Sequence, residues 1–143
     1  MAKVQKKTSK SGKSAKGTVA SRKKSRANVT EHGKVFITST FNNTLVTVTN
    51  AKGDTLGWSS AGAKGFKGAR KSTPYAANLA VEDVVKRAVE KGMKSADIFV
   101  KGPGSGRDSS LRGIRNAGLQ IASISDITPM PHNGPRAKKK RRV

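Results

Sequence analysis

Thr73-Pro74-Tyr75-Ala76-Ala77-Asn78-Leu79-Ala80-Val81-Glu82-Asp83-Val84-Val85-Lys86-Arg87-Ala88-Val89-Glu90-Lys91-Gly92, with Ala96-Asp97-Ile98-Phe99-Val100-Lys101 just beyond it, is the stretch on which the fold turns. Thr73 offers an N-cap hydroxyl and Pro74 the fixed φ of a first helical residue. Ala77, Val81, Val84, Val85 and Ala88 recur at helical spacing, and Gly92 stands at the position that closes a helix. The spacing predicts a helix from about Pro74 to Lys91. Its outer face pairs Glu82 with Lys86 and Asp83 with Arg87 at i,i+4, which makes those acids structural by default. Residues 96–101 form a short apolar run between turn residues. A strand that follows a helix joins its sheet by a parallel crossover, so this one belongs to the sheet interior.

Upstream, Val35-Phe36-Ile37-Thr38-Ser39-Thr40-Phe41 and Thr44-Leu45-Val46-Thr47-Val48-Thr49 are rich in β-branched and aromatic residues, with Asn42-Asn43 between them as a polar hairpin tip. After the turn-like Asn50-Ala51-Lys52-Gly53-Asp54, Thr55-Leu56-Gly57-Trp58-Ser59 returns as a third strand. Ser60 to Ser72 has no period that would bury a face and reads as a flexible basic loop. Downstream, Gly102-Pro103-Gly104-Ser105-Gly106-Arg107 leads to Asp108 as the N-cap of a short helix carrying Leu111, Ile114 and Ala117, closed by Gly118. Leu119 to Ile127 alternates around Ile121, Ile124 and Ile127 as the last strand. The order βββαβαβ gives an α/β fold, a single domain with a mixed β-sheet and helices packed on it. It leaves the strand order open.

The 143 residues include 30 Lys and Arg against 8 Asp and Glu, a formal charge of +22. An excess of that size points to a polyanionic partner. Residues 1–30 carry ten cations and no acid, and residues 132–143 carry six and none. Neither segment has the apolar content to offset its ordering entropy, so both are expected to be disordered when free. The expected organisation is a basic N-terminal extension over 1–30, an α/β domain over 31–131 and a basic C-terminal tail over 132–143. A solubilising flank or a nuclear localisation signal is the plainer reading of such tails. Phosphate is favoured because like charges at this density call for counter-charge. Cysteine is absent, which removes disulfides, thiolate metal sites and cysteine nucleophiles. With no apolar run long enough to span a bilayer, the chain reads as soluble and intracellular, without a membrane partner.

Candidate chemistry lies in the loops. The glycine-rich turn 102–107 sits between a strand and a helix, where backbone N–H groups can hold a phosphate oxygen and Arg107 adds a fork of donors. It meets neither of the common nucleotide-binding spacings. Gly65-Phe66-Lys67-Gly68-Ala69-Arg70-Lys71 places one aromatic among cations, as in base-stacking RNA sites; Phe66 as a lid on the core is the equal alternative. Asn42 and Asn43 are either turn residues or readers of base edges. His32 and His132 lie at opposite ends of the domain with no cluster of acids, so no metal and no cofactor is expected. No Ser has a histidine at a recognisable spacing, and no clustered carboxylates suggest a nuclease. A catalytic role therefore has no candidate residues.

Phe41-Asn42-Asn43-Thr44, Ser59-Ser60-Ala61-Gly62, Gly65-Phe66-Lys67-Gly68 through Arg70-Lys71-Ser72-Thr73-Pro74-Tyr75-Ala76-Ala77, Lys101 to Arg107, Asp126-Ile127-Thr128-Pro129 and Pro131-His132-Asn133-Gly134 together resemble the bacterial form of the eleventh-protein family of the small ribosomal subunit. The resemblance runs in order from about Val29 to the C-terminus. It implies a ribonuclease-H-like fold without the nuclease site, and a non-catalytic structural role on the platform of the small (30S) subunit, in the cytoplasm. The implied partners are 16S rRNA, the sixth and eighteenth proteins of that subunit, and mRNA at the Shine-Dalgarno cleft. Carried onto this sequence, the rRNA contacts fall in four places. The hairpin tip supplies Asn42 and Asn43, and the basic loop supplies Lys64, Lys67, Arg70, Lys71 and Ser72. The second turn and its helix supply Lys101, Gly104, Ser105, Arg107, Arg112 and Arg115. The tail supplies His132, Asn133, Arg136, Lys138, Lys139, Lys140, Arg141 and Arg142. Where the family continues Asn-Gly with Cys-Arg-Pro-Pro, Pro135-Arg136-Ala137-Lys138 stand here. The principal alternative is a histone-like protein that compacts DNA. The glycine-basic loops argue against it, since a sequence-blind compactor has no need of them.

Overall fold

A computed structural model describes residues 31–136, 138 and 139; the basic extension expected over 1–30, and Lys140, Arg141 and Arg142, lie outside the described residues. Strand β1 (His32–Ser39) turns its odd-numbered residues inward, and Val35 and Ile37 are fully buried. It pairs antiparallel with β2 (Thr44–Asn50), placing Val46 opposite Ile37 and Val48 opposite Val35. Strand β3 (Thr55–Ser60) continues the meander along β2, with a register shift that leaves Leu56 as the extra residue. Helix α1 (Pro74–Glu90) then carries the chain back over the sheet, and β4 (Ser95–Lys101) enters parallel to β1 on its other side. After α2 (Gly106–Asn116), β5 (Gln120–Asp126) runs parallel to β4 at the edge. The strand order β3-β2-β1-β4-β5, with β2 alone antiparallel to the rest, is that of the ribonuclease-H-like fold which the resemblance implies.

One core holds these elements together. Val35, Ile37, Val46, Val48, Ile98 and Val100 from the sheet meet Val81, Val84, Val85 and Ala88 of α1 and Ile114 of α2. Burying each of these valines and isoleucines stabilises the fold by about 1.5–3 kcal/mol relative to leaving it exposed. Both helices therefore lie on one face of the sheet. Among the described residues no helix covers the other face.

Four expectations need correction. β1 begins at His32, because the Glu31 carbonyl accepts from the Lys94 and Ser95 N–H groups and brings the chain into register early; it ends at Ser39, leaving Thr40 and Phe41 in the hairpin tip. Ser60 to Ser72 is not a flexible loop. Ala61 is fully buried, the Ser60 hydroxyl accepts from Ala63 N–H at 3.0 Å, and Gly68–Ser72 forms a 3₁₀ helix. Backbone and hydroxyl bonds hold that segment, and neither leaves a trace in hydrophobic periodicity. Asp108 is not an N-cap, since α2 starts at Gly106 and places Asp108 in its first turn, where a carboxylate favours the helix dipole. In β5 the isoleucines stand three apart yet share a face: a bulge between the Ala96–Ile121 and Asp97–Ser123 pairs absorbs Ala122, and Ile124 pairs with Ile98.

Candidate nucleic-acid interface

The parallel strands β1, β4 and β5 all finish at the same end of the sheet, and most of the candidate residues collect there. The hairpin tip is built by Thr40 and Asn43. Thr40 N–H donates to the Asn43 carbonyl at 2.9 Å, Asn43 N–H donates to Thr40 Oγ1 at 3.1 Å, and Asn43 Oδ1 accepts from Thr44 N–H at 3.0 Å. Asn43 is thus a turn residue. Asn42, exposed beside Phe41, keeps its side-chain amide without a partner among the described residues.

The glycine-rich turn packs directly under that tip. Gly104 N–H donates to the Ser39 carbonyl at 3.0 Å, and Gly102, at φ +100°, adopts a backbone conformation that side chains disfavour. Arg107 is not splayed toward solvent. Its guanidinium donates to the Gly102 carbonyl at 2.7 Å and to Thr128 Oγ1 at 3.3 Å, and it forms an ion pair with Asp126. Ser105 Oγ donates to the Ser72 carbonyl at 2.8 Å, which ties the turn to the start of α1. Two helix N-termini, those of α1 and α2, therefore open on the same end.

Three donors hold the Asp126 carboxyl low: the Thr128 hydroxyl first, then the Arg107 guanidinium, then the Thr128 backbone N–H. Together they bring it from 3.8 to about 2. A carboxyl depressed on folding stabilises the native state at pH values above its ordinary range, and that contribution is lost as pH falls through the folded value. Asp126→Asn should lower the melting temperature at pH 7 and flatten the melting profile between about pH 4 and pH 2. Thermal melts across that window check it, and an unchanged profile would separate the carboxylate from the fold.

The loop before α1 presents a cluster of cations. A bowl of about 350 Å³ is lined by Lys64, Gly65, Phe66, Lys67 and Arg70. Lys64 pairs with Asp83 at 2.6 Å and so anchors the loop to α1. Burial raises the Asp83 carboxyl, but hydrogen bonds from Arg87 and Lys64 outweigh it and leave the group below the usual range. Lys67 and Arg70 are exposed and Lys71 is half-buried, all without an acidic partner among the described residues. Ser72 turns its hydroxyl onto the Ala69 carbonyl. Phe66 meets Tyr75 edge to face at 6.1 Å, so it both borders the bowl and packs locally.

Lys101 is exposed at the end of β4, whereas Arg112 and Arg115 follow α2 away from this end; Arg115 lies about 13 Å further along the axis than Gly106. His132, Asn133, Arg136, Lys138 and Lys139 are exposed beyond β5, with Asn133 at φ +55°. Tyr75 and Phe41, 66% and 74% exposed, belong to the same surface, although neither is among the contacts that the resemblance implies. Tyr75 falls outside the buried stripe of α1 that begins at Ala76, and that offset was the available signal. Among the described residues no three His, Asp or Glu side chains lie close enough to hold a metal ion, and no helix is long and apolar enough to cross a membrane. The family model described as ribosomal protein S11 matches residues 33–142 of the chain.

Proposed function

The chain belongs to the ribosomal protein S11 family, structural rRNA-binding components of the small ribosomal subunit, and from that premise we propose that it occupies the subunit platform in the cytoplasm and grips 16S rRNA with the loop-bearing end of its sheet. The observation that carries this reading is the convergence of the free Asn42 amide, the cations of the bowl, the glycine turn and two helix N-termini at one end. Lys67, Arg70 and Lys71 neutralise phosphates and the exposed Ser105 lies beside them, while Gly104, buried with its N–H on the Ser39 carbonyl, shapes the turn from within. Arg107 acts at one remove, by fixing the turn against Asp126 and Thr128. The exposed tail residues from His132 to Lys139 extend the grip, and Arg112 and Arg115 offer cations along the side of α2. The sixth and eighteenth proteins of the subunit are the proposed neighbours, with the Shine-Dalgarno duplex of mRNA against the cleft that this surface helps to form.

No turnover is proposed. Asp83 and Asp97 are engaged by cations or hydroxyl donors, Glu82 by Lys86 and Asn78, and Asp126 by Arg107, so none is poised as a general base. Competition binding at fixed salt tests the function. A labelled platform rRNA fragment, with the neighbouring subunit proteins present, should survive challenge by excess duplex DNA and by scrambled RNA of equal length. Displacement by duplex DNA and by scrambled RNA as effective as that by unlabelled platform rRNA would favour a DNA-compacting role driven by the basic tails.

A further inference from the structure

The sheet face that no helix covers carries an ordered row of side chains. Register places Trp58 of β3 opposite Thr47 of β2, Thr47 opposite Phe36 of β1, Phe36 opposite Phe99 of β4, and Phe99 opposite Ser125 of β5. Phe36 and Phe99 are stacked, with centroids 5.1 Å apart and planes 16° from parallel. Trp58 is 62% exposed at the edge of the row. It stands two strand spacings from Phe36, about 10 Å at the backbone, with only Thr47 between them.

We propose that this face is a second RNA-binding surface, in which an unpaired base enters over Thr47 and stacks between Trp58 and Phe36. The proposal rests on the chain being an RNA binder and adds to the loop-bearing end a site of different chemistry. Two properties of the face favour an unpaired nucleic acid over a protein. Its background is hydroxyl-rich: Thr38, Thr47, Ser95, Ser123 and Ser125 share it and none of them is buried, while Leu45 is its one branched aliphatic residue among the described strand positions. Its cations also sit where a backbone would pass. Lys34 lies in the row on one side of the aromatics and Lys101 in the row on the other. The single facing acid, Asp97, is already engaged by His32 at 2.9 Å and Ser123 at 2.6 Å. Aromatic rings among hydroxyls and flanking cations suit bases whose faces are free, and a duplex keeps its faces stacked.

Trp58 is the only tryptophan in the chain, so its fluorescence reports this site alone. The full chain is titrated with a labelled single-stranded RNA 12-mer and with the same sequence as a duplex. Anisotropy reads total binding and tryptophan emission reads the slot. The single strand should quench Trp58 and the duplex, at equal occupancy, should not. Trp58→Ala should weaken single-strand binding about tenfold, leave duplex affinity and the salt slope unchanged, and be largely rescued by Trp58→Tyr. Because Trp58 is mostly exposed, these variants keep the core intact; Phe36→Ala, which should also abolish quenching, is the secondary probe. Binding without quenching, or equal quenching by both RNAs, overturns the proposal. Shielding of Trp58 in assembled small subunits, with no response to the 12-mer, assigns the face to a protein instead. If neither RNA binds by anisotropy, the RNA-binding reading itself fails, a result distinct from loss of the slot.

Discussion

Gly102→Ala is expected to lower the melting temperature by about 15 °C. Two costs add at this position. The backbone at φ +100° puts an L side chain in the left-handed region, worth about 1–2 kcal/mol. A Cβ would also press into the Ser39 carbonyl, with the carbonyl carbon only 3.1 Å away, and overpacking of that kind costs about 1–3 kcal/mol. Ser39 cannot retreat cheaply, because its carbonyl accepts the Gly104 N–H and its backbone is paired with Thr44. A loss near 3 kcal/mol in a domain of about 100 residues corresponds to the stated shift at about 4–8 °C per kcal/mol. Gly53→Ala is the matched control. It sits at φ +99° with nothing within 4 Å of an added Cβ, so only the backbone cost applies and the shift should be about a third to a half as large. Equal shifts in the two variants would mean that the close approach of the turn to β1 contributes nothing.

Replacing Lys67, Arg70 and Lys71 together by Gln is expected to weaken binding to platform rRNA about a hundredfold at 0.15 M salt. It should also make the log affinity against log salt slope shallower by about 3. Each phosphate contact contributes close to one unit of that slope, and three contacts referred back to 1 M salt give the stated loss. Stability should not change, since none of the three side chains has an ion-pair partner among the described residues. Lys64 is left in place because it pairs with Asp83, and its removal would mix a folding effect with a binding effect. Filter binding across a salt series, beside a thermal melt, separates the two. A slope that stays as steep as that of the unaltered chain would move the phosphate contacts elsewhere.

The elements legible in the sequence are those whose signal is periodic or carried by a cap. Thr73 and Pro74 announce α1, and the hydroxyl of Thr73 indeed accepts from Ala76 N–H. The β-branched runs announce the hairpin. What was not legible depends on contacts between segments distant in sequence. The 3₁₀ helix over 68–72 is set by backbone bonds and by Ser105 reaching Ser72, thirty-three residues away. The early start of α2 follows from Gly104 and Gly106 lying against Ser39, Thr44 and Ala77, a close packing that no local pattern encodes. The glycine-rich turn points to Arg107 as a phosphate donor; its neighbours within the fold, Asp126 and Thr128, arrive only once β5 lies beside β4. The bulge at Ala122 is of the same kind: the three-residue spacing of the isoleucines was visible, but its meaning required the partner strand.

Glu31 and the start of β1 lie at one end of the sheet, while Asp126, the turn and the tail beyond it lie at the other, about 25 Å away along an eight-residue strand. The thirty residues that precede Glu31, with their ten cations, are thus attached at the pole opposite the loops. Were RNA held at both poles, the molecule would be bivalent: with the loop-bearing pole seated, the second charged segment would meet nearby RNA at an effective concentration in the millimolar range instead of at bulk dilution. Two weak attachments would then give one slow dissociation, because both must let go together. The length of the sheet would set how far apart the two joined RNA segments lie, a ruler as well as a clamp.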